Sequence, residues 1–542
     1  MVIGPGQARP GGSRTAVFNF QNAVLTNRNF ANRDLSGSTF NSATLTNVRF
    51  QNSKLNGTDF DNASWIGVNA TGADFSEGNG FGISTFVDAT FANVNLIRAN
   101  LSGADLSGLS TFAITLANAD LTGAKLVMAS LLGDGVTGAN LQGARFDNAD
   151  MTMVNLAEAN VTNASFVNAK LVDANLEGML VVNTDFTGAD FSGAGFTDID
   201  IFGAIFDLAI LVDLSWTDTK PANGNTTTDL SFRGADLSGF SSEDSNFANA
   251  DFRNHENGTA TKMNEANFAD SFMVGALFTG VEAVNSFFED ADLTGADFRG
   301  ANLAGANFNG ADLTGADFTG ANLEGAIMTE AVLLGAKFSG ANMTKANLGL
   351  ATGDATTLFD GADLREAIFD VSVFLGTDFR DTDMTGATFV FANVTGSNFG
   401  DGDDDDTAGS NLSKAQFIDA DLVGANLTDA MLADAVLRKT DLTGVAAAGA
   451  DFTNGSFIDS LLVAANLAGA RLVSADLSKA TLDGADLSGA DLTAAVLIDA
   501  SLLDIDGDGA VFDNGVLINA DFTGATLVGA SFVGADLTGT VF

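Results

Sequence analysis

Along most of the chain a large apolar residue returns at every fifth position. The first stretch reads Phe20, Leu25, Phe30, Leu35, Phe40, Leu45, Phe50, Leu55, Phe60 and Trp65. Residues 293–323 repeat it with Leu293, Phe298, Leu303, Phe308, Leu313, Phe318 and Leu323. A step of five is neither the 3.6 of an amphipathic helix nor the 2 of a half-buried strand. The neighbours of each central residue are also fixed. Ala, Ser, Thr or Val stands two before it, Asp or Asn usually one before, and Gly or Asn commonly two after, as in ADLTGADFRGANLAGANFNGADLTGADFTGANLEGA at 291–326. Centres stay in phase over 20–75, 86–211, 232–252, 263–348, 359–399 and 412–542.

These quintets resemble the pentapeptide-repeat family, whose consensus is A(D/N)LXX, and the resemblance spans nearly everything after residue 17. It implies an all-β fold with few or no helices, a right-handed four-sided parallel β-helix. About 97 quintets taken four to a coil give about 24 coils, and at ~4.8 Å per coil a rod on the order of 115 Å. The expected organisation is a Gly/Pro-containing arm over 1–17 and a single continuous solenoid over 18–542. Loop insertions are expected near 76–82, 215–231, 253–262, 349–358, 400–411 and 503–511.

With four quintets to a coil, residue i stacks on i+20, and the centres form interior columns. The Phe/Leu alternation has a period of ten, so an even-sided coil sorts it into Phe columns and Leu columns whose rings stack along the axis. The small residue two before the centre must also point inward, where a narrow bore favours Ala. Gly at the corners turns the chain without a Cβ penalty. The residue one before the centre faces solvent. Asp stacked on Asp at ~4.8 Å costs on the order of 1 kcal/mol in water, so those columns should be diluted, and the column 302, 322, 342 is all Asn, a sequence for an amide ladder.

Charge changes the functional picture. The 542 residues carry 24 Lys+Arg against 69 Asp+Glu, a formal net charge of −45. Such a chain repels nucleic-acid backbones and anionic lipid, so its partners are cationic, or are proteins that accept acidic surfaces, such as DNA-binding proteins. With 46% hydrophobic residues it is built to bury surface. No Cys is present, which removes disulfides, thiolate catalysis and Cys-ligated zinc. No apolar run is long enough to insert in a membrane, and the start carries no readable signal peptide. Acidity, candidate calcium loops and the lack of Cys favour an extracellular or cell-surface location over a cytoplasmic one.

Candidate chemistry is sparse. Asp504, Asp506 and Asp508, followed by Gly509, match the D-x-D-x-D-G opening of a calcium loop, in which alternate carboxylates converge on a hard cation. Position 12 would be Gly515, so the closing Glu is missing. Asp401, Asp403 and Asp405 form a second acidic cluster. Calcium is the one cofactor these residues raise, against a plain reading of solvated acidic turns. His255, the single imidazole, lies in a polar insertion with no marked nucleophile beside it, so no enzymatic triad is expected.

The ends carry the functional expectation. Repeats run in phase to Phe542, and solenoids that stay monomeric normally cover their last coils. Phe18, Phe20, Leu537 and Phe542 are therefore expected to mediate head-to-tail self-association into a filament, a non-enzymatic structural role. Two alternatives stand beside it. One is a monomeric scaffold. The other follows from the resemblance, since some family members mimic DNA and occupy the DNA site of type II topoisomerases such as gyrase.

Overall fold

The computed structural model describes residues 17–542 apart from 79, 136, 218–219, 222–227, 243 and 401–408. Most of the expected 1–17 arm therefore lies outside the described residues. The chain groups into two compact units, Met1–Leu277 and Phe278–Phe542.

In both units the backbone winds as a parallel β-solenoid with no helix among the described residues. One column in the first unit runs through Asn19, Thr39, Asp59, Thr85, Asp105 and Lys125, each bridged in parallel to the next. Most rungs are a single paired residue. Longer pairing occurs where Val24–Thr26, Thr44–Thr46, Ser64–Ile66, Thr90–Ala92 and Ser110–Phe112 stack in sequence order. Lys220–Pro221 pairs with Asp200–Ile201 at the edge of a three-stranded sheet. An edge is where the missing N–H of Pro221 is tolerated.

Each quintet closes itself and its neighbour with few bonds. The central N–H reaches the next coil (Leu303 N to Asn322 O, 2.7 Å), the preceding N–H reaches the previous coil (Asn302 N to Val281 O, 2.9 Å), and the following Ala closes the corner (Ala306 N to Leu303 O, 3.0 Å). The residue two after the centre is left-handed, as at Gly295 (φ +67°) and Asn285 (φ +54°). Only Gly takes that conformation freely, and for other residues it costs about 1 kcal/mol or more, which explains the Gly, Asn and Asp there.

The bore is filled as expected. Leu303, Phe308, Leu313 and Phe318 are fully buried, and Ala301, Ala306 and Ala311 line the inner positions beside them. Phe columns stack face to face. Phe298 and Phe318 lie 4.8 Å apart and 1° from parallel, Phe318 and Phe338 5.0 Å and 5°. Neighbouring columns meet edge-on, as with Phe308 and Phe318 at 5.7 Å and 86°.

Insertions show as ladder steps longer than twenty. Asp59 bridges Thr85, Ile205 bridges Ser231 and Asp236 bridges Lys262, each 26 apart, while Lys337 to Leu358 is 21 and Asp383 to Asn411 is 28. Two findings differ from the sequence reading. At 503–511 nothing is inserted, because Asp486, Asp506 and Thr526 bridge at the ordinary step. The centre there is Gly507, and Ile505, buried at the usually small inner position, fills the space. Conversely, Ser130 bridges Asn155 and Thr115 bridges Asn140. That is an insertion of one quintet near 132–138, which leaves the phase of five intact and so is invisible to it.

Candidate interaction surfaces

The polar residue before each centre is more than a solvated wall. Asp292 accepts the Thr294 N–H (3.1 Å) and hydroxyl (2.7 Å), and Asp521 and Asp536 do the same for Thr523 and Thr538. These bonds hold the Asp521 and Asp536 carboxyls below the usual range. The acid thus caps the turn two residues on. The signal was present in the sequence as the recurring Thr or Ser one after the centre. The Asn column does form an amide ladder, with Asn322 donating to Asn302 and Asn342 donating to Asn322, both at 2.9 Å.

Arginines answer the stacked acids. Arg299 grips Asp297 with Nε and Nη2 at 2.9 and 2.7 Å, and Arg365 holds Asp363 in the same way while reaching Asp383 at 3.9 Å. The hydrogen bond from the guanidinium is the main cause that lowers Asp297 and Asp363, overcoming partial burial, which acts to raise them. Buried Asp207 accepts Arg233 Nη2 at 2.9 Å and Nε at 3.2 Å, tying one rung to the next.

The expected metal ligands are not brought together. Asp504 occupies a left-handed turn, Asp506 accepts the Asp508 N–H (3.1 Å) and the Thr526 hydroxyl (3.2 Å), and Asp508 accepts the Val528 N–H (2.8 Å). The Asp506 and Asp508 carboxylates each serve a turn or rung, and among the described residues no three His, Asp or Glu side chains group as metal ligands. Asp401, Asp403 and Asp405 lie outside the described residues. His255 Nδ1 accepts the Asn257 N–H at 3.2 Å within a tight turn closed by His255 N to Thr259 O at 2.9 Å.

Of the residues expected to mediate self-association, Phe18 and Phe20 lie at the first described coil and Leu537 and Phe542 on the coil at 523–542. Phe18 is half-buried and stacks on Phe20 at 6.0 Å, and Phe20 is covered by Phe40 at 4.7 Å. Leu537 is 38% and Phe542 60% exposed, against 0% for Leu517 and 1% for Phe522 one coil earlier.

The pentapeptide repeats model matches residues 19–57, 84–109, 137–171, 169–207, 261–300, 288–320, 316–352, 358–401, 410–446, 448–484, 475–506 and 508–542, well over half of the sequence. The chain belongs to the pentapeptide-repeat family. The unmatched stretch 110–136 of this pentapeptide-repeat chain ends within the quintet-long insertion. Among solved structures it is similar to a trypsin-treated variant of the plasmid-mediated fluoroquinolone resistance protein QnrB1. Identity is 20%, coverage 39% of this chain and 89% of that one, and the TM-score 0.22. It is also similar to HetL from the cyanobacterium Nostoc sp. strain PCC 7120, a pentapeptide repeat protein involved in heterocyst differentiation regulation, with 22% identity, 54% and 86% coverage and a TM-score of 0.19. A third is Rfr23 from the cyanobacterium Cyanothece 51142, with 20% identity, 31% and 90% coverage and a TM-score of 0.11. No curated protein sequence matches the chain.

Proposed function

We propose that this pentapeptide-repeat protein is a non-enzymatic structural solenoid whose coil at 523–542 receives the coil at 18–37 of a second copy, so that copies join head to tail. The observation that carries this reading is the match between the two coils. Leu527, Phe532, Leu537 and Phe542 alternate Leu and Phe, and Phe20, Leu25, Phe30 and Leu35 do the same. Either coil can therefore continue the other's columns by placing ring on ring. Val528 at 76% and Phe542 at 60% exposure leave apolar surface to cover, and the central N–H groups of a last coil point along the axis, where another coil's carbonyls would accept them. A head-to-tail contact of this kind is heterologous and propagates unless it closes.

The test is sedimentation and electron microscopy of the wild type beside Leu537→Lys/Phe542→Lys. The wild type should form filaments of one coil's diameter, and the double variant should stay dispersed with an unchanged circular dichroism spectrum. Filaments that persist in the variant would refute stacking through this coil. The net charge of −45 favours a second reading, a scaffold that binds a cationic or DNA-binding protein such as gyrase. Supercoiling by gyrase that continues unchanged in excess protein would remove the gyrase form of it.

A further inference from the structure

As Met128 and Met153 do over two coils of the first unit, one corner of the second unit departs over three coils from the usual Gly, Asn and Asp. The left-handed column there runs Gly310, Glu330, Leu350, Val371, Phe391, Asp419 and Lys439, each donating its N–H to the residue before the next member. Three consecutive coils thus carry large apolar side chains in a conformation that elsewhere belongs mainly to Gly, Asn and Asp. Val371 at φ +61° is β-branched, the residue type least suited to it. These side chains are only partly buried, Leu350 being 50%, Val371 49% and Phe391 61% exposed. On the adjoining face Val373 and Leu375 are exposed as well. Backbone strain combined with a contiguous exposed apolar patch marks a surface kept for contact rather than for folding.

We propose that the corner formed by Leu350, Val371 and Phe391 docks a cationic amphipathic helix of another protein. The spacing fits, because successive coils place the three side chains ~4.8 Å apart along the axis, close to the 5.4 Å pitch at which a helix repeats its apolar stripe. The charge fits also. Glu330 and Asp419 bracket the apolar run within its own column, and Asp354 and Asp370 adjoin it. A second copy of this chain would set −45 against −45 and place these acids near their like. Basic residues flanking the helix would instead meet them. This proposal does not rest on head-to-tail assembly.

The probe is a synthetic 14-residue Leu/Lys peptide with its leucines on one helical face, set against a scrambled peptide of the same composition. Both are titrated calorimetrically into the wild type and into Leu350→Asn/Val371→Asn/Phe391→Asn. Asn already occupies this turn at Asn285 and Asn514, so the triple variant should melt no lower than the wild type. The expected result is at least tenfold tighter binding of the amphipathic peptide than of the scrambled one, a preference the variant loses. Equal binding of both peptides, or an unchanged preference in the variant, would overturn the proposal by leaving charge alone as the cause. A variant that melts several degrees lower would assign the side chains to packing. A wild type that dimerises where the variant does not would assign the corner to a second copy.

Discussion

Phe318→Ala tests the physical basis of the solenoid, because the rings that hold this one in place are all defined. The Phe318 ring is fully buried, sandwiched between Phe298 at 4.8 Å and Phe338 at 5.0 Å, and met edge-on by Phe308 at 5.7 Å. Replacing a buried Phe by Ala costs about 3–5 kcal/mol, and with stacking lost on both sides this site should cost at least the middle of that range, about 4 kcal/mol. Each coil touches only its neighbours, so the loss stays local. At about 1.4 kcal/mol per tenfold, the ladder amides of Phe298, Leu303 and Phe318 should exchange with solvent up to ~10³-fold faster. The Leu482 amide, bonded to Ser501 O at 2.7 Å well along the same unit, should keep its wild-type rate. Phe318→Leu, which restores most of the volume, should cost about 1–2 kcal/mol. Hydrogen exchange by mass spectrometry reads both. Acceleration below tenfold at the three nearby amides would refute the stacked column as a source of stability. Uniform acceleration through Leu482 would refute nearest-neighbour coupling.

Other consequences follow from particular interactions. Asn322→Leu removes both the bond given to Asn302 and the one taken from Asn342 and should cost about 1–2 kcal/mol; an unchanged thermal midpoint would show the ladder to be ornamental. Gly353 stands at a centre, and a Cβ there would lie 2.4 Å from the Phe374 ring, so Gly353→Ala should cost about 1–3 kcal/mol, and Phe374→Leu in the same chain should recover part of it. Additive losses would contradict the clash. Asp297 is lowered by its bond from Arg299, so its contribution is present above the ordinary Asp value of about 3.9 and is lost as pH falls through the lower folded value. Carboxyl NMR titration should find the midpoint below that of a free Asp and see it rise in Arg299→Gln; no movement would remove the guanidinium as the cause. Like-charged copies repel, and salt shortens the range of that repulsion, so assembly should increase between low and moderate salt. A decrease would point to ionic rather than apolar end contacts.

How far the sequence discloses the molecule depends on where its side chains lie. The buried centres are legible because a narrow bore admits little besides Phe and Leu at a step of five, and the amide ladder is legible because Asn302, Asn322 and Asn342 share one column. The turn-capping role of the acids is written in pairs such as Asp292 and Thr294 but hides behind their exposure. Phase alone cannot register the 132–138 insertion, since five extra residues restore it. The apparent insertion at 503–511 misleads for a different reason. Gly507 empties a centre, and it is the unbroken ladder through Asp486, Asp506 and Thr526, with Ile505 buried beside it, that shows the repeat continuing. The apolar corner at Leu350, Val371 and Phe391 is likewise silent until the ladder, with its step of 21 at Lys337 to Leu358, aligns residues that no fixed period would pair.

Head-to-tail assembly, as proposed, joins one copy's coil to the next copy's coil. Electron microscopy of the purified chain across a concentration series, beside its sedimentation profile, tests it most directly. Filaments of uniform diameter that lengthen with concentration are the expected result. Discrete particles of one chain's mass at every concentration would contradict it.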